Sequence, residues 1–260
     1  MSEPSPAPGP AEPSRETSLA GPAPWGLLDA AAIVCFDAGA IGVGAWIRKL
    51  LPGGAGGILA ALARPAIVVP AVLVIAARSW RASPAELGLA PPARGSWRWF
   101  LRSSFALALA YLALGAGLVL AFRGGVNVPA QAAVARATFR SWGGAWAISA
   151  SWLVSAPLAE ELVFRGVLYR TLRDRLGPRA AVLASAAIFA GMHPLWSWRL
   201  FVPVTQFLGG LVFAWAYERT RSLLHPALFH AIGNLAVLAW NGALVLRPAW
   251  VEIVLGSARA

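Results

Sequence analysis

The sequence predicts an all-α fold, a polytopic transmembrane helical bundle of about eight spans. Composition is the first reason. Of the 260 residues 58% are hydrophobic and only 13% charged, whereas a soluble domain carries roughly a quarter charged residues. The second reason is that the apolar residues come in runs of about 20, the length a helix needs to cross roughly 30 Å of hydrocarbon. The third is that Lys and Arg cluster between those runs, where the positive-inside rule places them.

Residues 1–24 are rich in Pro, Ala, Ser and Glu without an apolar core. They read as a disordered tail rather than a signal peptide, and residues 25–260 as one transmembrane domain. The expected spans are 25–47, 58–77, 104–122, 142–164, 180–193, 200–217, 223–240 and 243–255. Arg64, Pro65 and Pro70 predict a kink in the second. The fifth and eighth are short for a straight crossing.

With the N-terminus inside, most of the basic residues face the cytoplasm, including Arg78, Arg94, Arg165, Arg170 and Arg219. Both termini are then cytoplasmic. The net charge of +11 is thereby accounted for by topology, and without a recognisable binding motif it predicts no nucleic-acid partner. Trp25, Trp46, Trp80, Trp97 and Trp99 fall near expected span ends and read as interface anchors. Cys35, alone of its kind, reads as a small buried hydrophobe.

The informative residues are the polar ones inside apolar runs, each costing about 2.5–3.5 kcal/mol on insertion scales. Glu160 and Glu161 are adjacent, so on a helix they point about 100° apart and are expected to do different jobs. Arg165 follows Glu161 by one helical turn, which predicts an ion pair and leaves Glu160 the freer carboxylate. The break at Gly177-Pro178 lies about 17 residues after Glu160 and about 16 before His193. In an antiparallel hairpin equal distances from the turn mean equal depth, so the two side chains can meet. His230 and Asn234 share a helix face one turn apart and need a polar partner in an apolar run. His225, just before Pro226 and near Arg219 and Arg221, reads as interfacial and outside the site.

These segments resemble the CPBP or Abi family of CAAX prenyl proteases and bacteriocin-processing enzymes. Its motifs E-E-x-x-x-R, F-x-x-x-H and H-x-x-x-N/D occur here in order: Glu160-Glu161 with Arg165, Phe189 with His193, and His230 with Asn234. The stretches S-P-A-E-L-G-L-A-P-P at 83–92 and S-L-L-H-P-A-L-F-H at 222–230 also look like family features.

The resemblance implies an intramembrane endopeptidase acting on a membrane-anchored or lipidated peptide or protein within the lipid bilayer, near the substrate's C-terminus. Glu160 would activate water, His193 would help hold it, and His230 and Asn234 would stabilise the oxyanion. Glu161 and Arg165 would hold the helix geometry. The reading favours no cofactor, yet zinc on Glu160, His193 and His230 is chemically open. A non-catalytic scaffold or bacteriocin-immunity protein with the same fold is the competing class. The Ala-, Arg-, Gly- and Pro-rich composition suggests a bacterial inner membrane as the location.

Overall fold

In the computed structural model residues 22–52, 54–121, 142–197 and 203–246 are described. Gly26 precedes the first helix, where its N–H is accepted by the Asp29 carboxylate at 2.7 Å, an acidic group at the positive end of the helix dipole. That helix, α1, spans Leu27–Leu50, and α2 spans Gly54–Arg78. Pro65 and Pro70 lie inside α2, which continues as one helix through both. Next comes α3, Ser96–Ala121. The long element that follows is α4, Trp142–Ala150; a π-helical turn, π1, Ser151–Ser155; α5, Ala156–Glu161; and a second π-helical stretch, π2, Leu162–Tyr169. The remaining helices are α6, Arg170–Ser197; α7, Val204–Thr220; and α8, Leu224–Leu246.

The element from α4 to π2 is the centre of the protein. The α1–α2 hairpin packs against it, as do α6, α7 and α8, and α1 also touches α6. Gly177, inside α6, has φ 75 and ψ 167, a left-handed backbone that glycine tolerates and other residues resist. The chain reverses there, so Phe164 meets Phe189 edge-on at 5.2 Å and the Ser185 hydroxyl reaches the Phe164 carbonyl at 3.4 Å. The break expected at Gly177 is thus present, with antiparallel arms.

Among the described residues three apolar helical runs are long enough to cross a membrane, Leu27–Leu50, Ala55–Arg78 and Ala145–His193, the last of which includes the reversal at Gly177; Leu224–Ala239 is a shorter apolar helix. The expected eight spans are not reached among the described residues. The seventh and eighth were expected to part near residue 241, but α8 runs unbroken to Leu246; residues 247–255 of the eighth lie outside the described residues. The N-terminal tail, 1–21, also lies outside them.

The surface is apolar where lipid would lie, with Leu28, Leu101, Phe105 and Trp146 all largely exposed. Cys35 is exposed on this surface rather than buried, because its neighbours Val34 and Asp37 take the inner face of α1. Trp25 is likewise not an interface anchor. It is buried, donates from Nε1 to the Val167 carbonyl at 3.2 Å and packs on Trp80 at 4.8 Å.

The loop at 83–92 seals one end of the bundle. Leu87 is fully buried, the Arg170 guanidinium donates to the Glu86 carbonyl, and the Leu223 N–H donates to the Gly88 carbonyl at 2.8 Å. Gly88 has φ +85 and lies against Tyr217, whose Cε2 would be 2.5 Å from any Cβ placed there. Nearby, Glu218 accepts from Tyr169, Arg173 and Arg221.

Candidate active site

Asp37 sits on the inward face of α1, about 15 Å from the helix start and about 20 Å from its end, which is mid-depth for a crossing helix. It is fully buried, and a buried carboxylate demands a partner. Arg64 of α2 supplies it: Nε donates to Oδ1 at 2.8 Å and Nη2 to Oδ2. The same guanidinium continues across the hairpin, and Nη1 donates to Glu160 Oε1 at 2.6 Å. One cation therefore joins α1, α2 and α5 in a charge-assisted network.

Glu160 is not the freer carboxylate that the sequence suggests. Its Oε1 belongs to Arg64, and its Oε2 faces His230 Nε2 at 3.7 Å. The cation responsible comes from a span about a hundred residues earlier, beyond any local spacing rule. Glu161 and Arg165 form the expected ion pair, Oε1 to Nη1 at 3.2 Å. Arg165 does not face the cytoplasm, however. It is fully buried, donates from Nη2 to the Gly210 carbonyl at 3.2 Å and lies over the Phe189 and Phe213 rings at 4.5 and 5.2 Å. Aromatic faces and a carbonyl stand in for the water it has lost.

His230 ties the two glutamates together. Its Nδ1–H donates to Glu161 Oε1 at 2.8 Å while Nε2 faces Glu160, and its ring stacks on Phe213 at 4.8 Å. The neighbouring carboxylates, expected to serve separate jobs, thus meet opposite edges of one imidazole. Two side chains 100° apart can do so because the ring presents nitrogens on two edges. Three carboxylates, Asp37, Glu160 and Glu161, face two guanidiniums, Arg64 and Arg165.

His193 and Glu160 lie within electrostatic reach of each other across the turn at Gly177. Its Nδ1–H donates to the Phe189 carbonyl at 2.8 Å, so in the neutral ring Nε2 is the acceptor nitrogen. Asn234 donates from Nδ2 to the Trp152 carbonyl of π1 at 2.7 Å. That bond brings α8 against the wide turn just before Glu160; such π turns recur at functional sites.

His225 is the chief misplacement by sequence. It is fully buried rather than interfacial, because the start of α3 folds over the start of α8. Trp97, Phe100 and Trp99 surround it at 4.9, 5.2 and 6.0 Å, and Ser96 Oγ lies 3.4 Å from Nε2. It remains outside the polar group around Glu160.

Sequence reasoning missed Asp37 and gave Arg64 no role beyond disturbing a helix. The equal-depth argument applied at Gly177 would have found both. The α1–α2 turn lies near residue 52, with Asp37 about 15 residues before it and Arg64 about 12 after. Phe189, read only as a motif letter, places its ring on Arg165 and its carbonyl under His193.

Zinc fits these side chains poorly. Among the described residues no three His, Cys, Asp or Glu side chains converge as metal ligands. Arg64 also sets a positive charge against Glu160, the carboxylate that a dication would need.

Residues 141–236 match the family model described as Rce1-like, type II CAAX prenyl endopeptidase. The matched segment contains all three motifs, so the resemblance read from them is borne out. No curated protein and no solved structure matches the chain.

Proposed function

We propose that this integral membrane protein, whose residues 141–236 match the Rce1-like CAAX endopeptidase model, hydrolyses a peptide bond near the C-terminus of a membrane-anchored or lipidated substrate. The observation that carries the reading is the convergence at mid-depth of Glu160, His193 and His230 from three separate helices. A polar group of this size inside a bilayer marks a functional site by default.

Glu160 is the general base. Arg64 holds Oε1, which leaves Oε2 as the oxygen that takes a proton from water. His193 accepts a hydrogen bond from that water through Nε2 and fixes its position. The resulting hydroxide adds to the scissile carbonyl carbon, and the oxyanion is met by His230 and by the second amide hydrogen of Asn234, the first being held by Trp152. Collapse breaks the C–N bond, and the proton carried by Glu160 passes to the departing amine. The products are a carboxylate and an amine, and Glu160 is restored. Glu161 and Arg165 act one step back by orienting His230. The setting is a bacterial inner membrane with both termini cytoplasmic.

The test uses the purified full-length protein with lipid-anchored peptides, comparing wild type, Glu160→Gln and His193→Ala with and without a chelator. Glu160→Gln is expected to lower the rate by at least about a thousandfold, and the chelator to leave the wild-type rate unchanged. Cleavage by Glu160→Gln at a rate near wild type overturns the mechanism, and zinc-restorable loss on chelation overturns its metal-free form.

A further inference from the structure

Asp37 and Arg64 lie outside residues 141–236 and belong to none of the three motifs, yet Arg64 touches Glu160 directly. All three nitrogens of its guanidinium donate. Nε donates to Asp37 Oδ1 at 2.8 Å, Nη2 to Asp37 Oδ2, and Nη1 to Glu160 Oε1 at 2.6 Å. The two-pronged bond to Asp37 fixes the plane of the guanidinium as well as its place. All three side chains are buried.

The helix register explains why the three meet. Gly44 of α1 faces Ala60 of α2 so closely that an added Cβ would lie 2.9 Å from the Ala60 carbonyl oxygen. Arg64 is four residues beyond Ala60, so in the antiparallel pair it is level with Ala40, three residues from Asp37. Those three residues are less than one helical turn. On its other side α2 packs against α5, which carries Glu160. A buried cation at this point has two available roles. As a counter-charge it need only be positive; as a fork it must present its donors in one plane. Asp37 already balances the charge of Arg64, so what the pair offers Glu160 is chiefly direction.

We propose that Asp37 and Arg64 are positioning residues for Glu160: Asp37 locks the guanidinium, and Arg64 pins Oε1 so that Oε2 is presented to the reacting water. The proposal rests on the proteolytic reading above and extends its site to α1 and α2. Direction matters because a carboxylate displaced by about 1 Å from its productive place can lose about a hundredfold in rate. A lysine at position 64 would supply the same charge from a single flexible ammonium, without the planar fork that holds Asp37 and Glu160 together.

Arg64→Lys in the full-length protein separates the two roles. In phosphatidylcholine nanodiscs with lipid-anchored peptides, it is expected to melt near wild type, keep KM within about twofold and lose about a hundredfold in kcat. Asp37→Asn keeps one acceptor oxygen and sets an amide nitrogen against the guanidinium, and is expected to lose about tenfold or more in kcat. A second measurement needs no substrate. The infrared carboxylate bands of Glu160, isolated by subtracting the spectrum of Glu160→Gln, are expected to shift in both variants as the bond to Oε1 changes. Full kcat in Arg64→Lys, a loss carried by KM alone, or Glu160 bands unmoved in the variants overturns the positioning role and leaves the protease reading standing. Where Arg64→Lys does not fold, the bands and kcat of Asp37→Asn decide. Shifted bands in a protein that cleaves none of the peptides support the positioning of Glu160 while removing the protease reading, so the two fail separately.

Discussion

Arg64 and Glu160 lie 96 residues apart in the chain and are joined by a hydrogen bond of 2.6 Å at the middle of the bundle. The bond fixes which oxygen of Glu160 faces His230, and Asp37 fixes the arginine in turn. A helix outside the matched segment therefore completes the polar group around the motif glutamate.

Removing one member of that network leaves a buried charge without its counterpart. Asp37→Ala is expected to destabilise the protein by about 3–5 kcal/mol, the usual consequence of breaking a buried pair. The triple variant Asp37→Ala/Arg64→Met/Glu160→Gln is expected to recover part of the loss, since all three charges go together. Unfolding titrations in mixed micelles measure both. A triple variant less stable than the single would show that the network is not acting as a unit.

The two glutamates are expected to separate by readout. Arg64 keeps Asp37 when Glu160 is changed to Gln, whereas Arg165 has its ion pair with Glu161. Glu161→Gln should therefore cost about 2–3 kcal/mol of stability, and Glu160→Gln about 1 kcal/mol or less. Activity follows the opposite order, with Glu160→Gln the more severe. Thermal melts run beside peptide cleavage decide this, and a larger melting shift for Glu160→Gln contradicts the assignment.

Gly88 tests the loop that seals the bundle. An alanine there must adopt φ +85 and place its Cβ 2.5 Å from Tyr217 Cε2. Gly88→Ala is expected to lose about 1–3 kcal/mol, read as a lower melting temperature with cleavage at permissive temperature largely kept. An unchanged melt would mean that the loop contributes nothing to holding the α7–α8 end.

What the sequence makes legible follows from distance along the chain. The Glu161–Arg165 pair is visible because one helical turn separates its members. The proximity of the Glu160 and His193 arms is visible because Gly177 marks a turn between them. Membrane embedding is visible from composition, since lipid rather than water must solvate the surface. Arg64 and Asp37 are less visible because each is a single polar letter in an otherwise apolar run. Nothing beside either one names its partner. His225 misleads for a related reason. Its local setting beside Pro226 is that of a helix end, yet Trp97, Trp99 and Phe100 reach it from α3, more than a hundred residues away. The number of spans is less legible still, since helices end where caps and breaks allow, and α8 continues through the boundary that hydropathy suggests.

The pairing of Asp37 with Arg64 also bears on how the protein is made. Ribosomes add about 5–20 residues per second, so Glu160 emerges some 5–20 s after Arg64. During that interval α1 and α2 already occupy the translocon, each carrying a charge that the bilayer resists by about 2.5–3.5 kcal/mol. Released one at a time, each would bear that resistance alone. Released together, they neutralise each other, which makes the hairpin rather than the single helix the unit of membrane insertion. The arginine then waits in the lipid phase with one hydrogen-bonding edge satisfied, and the nascent glutamate completes the other.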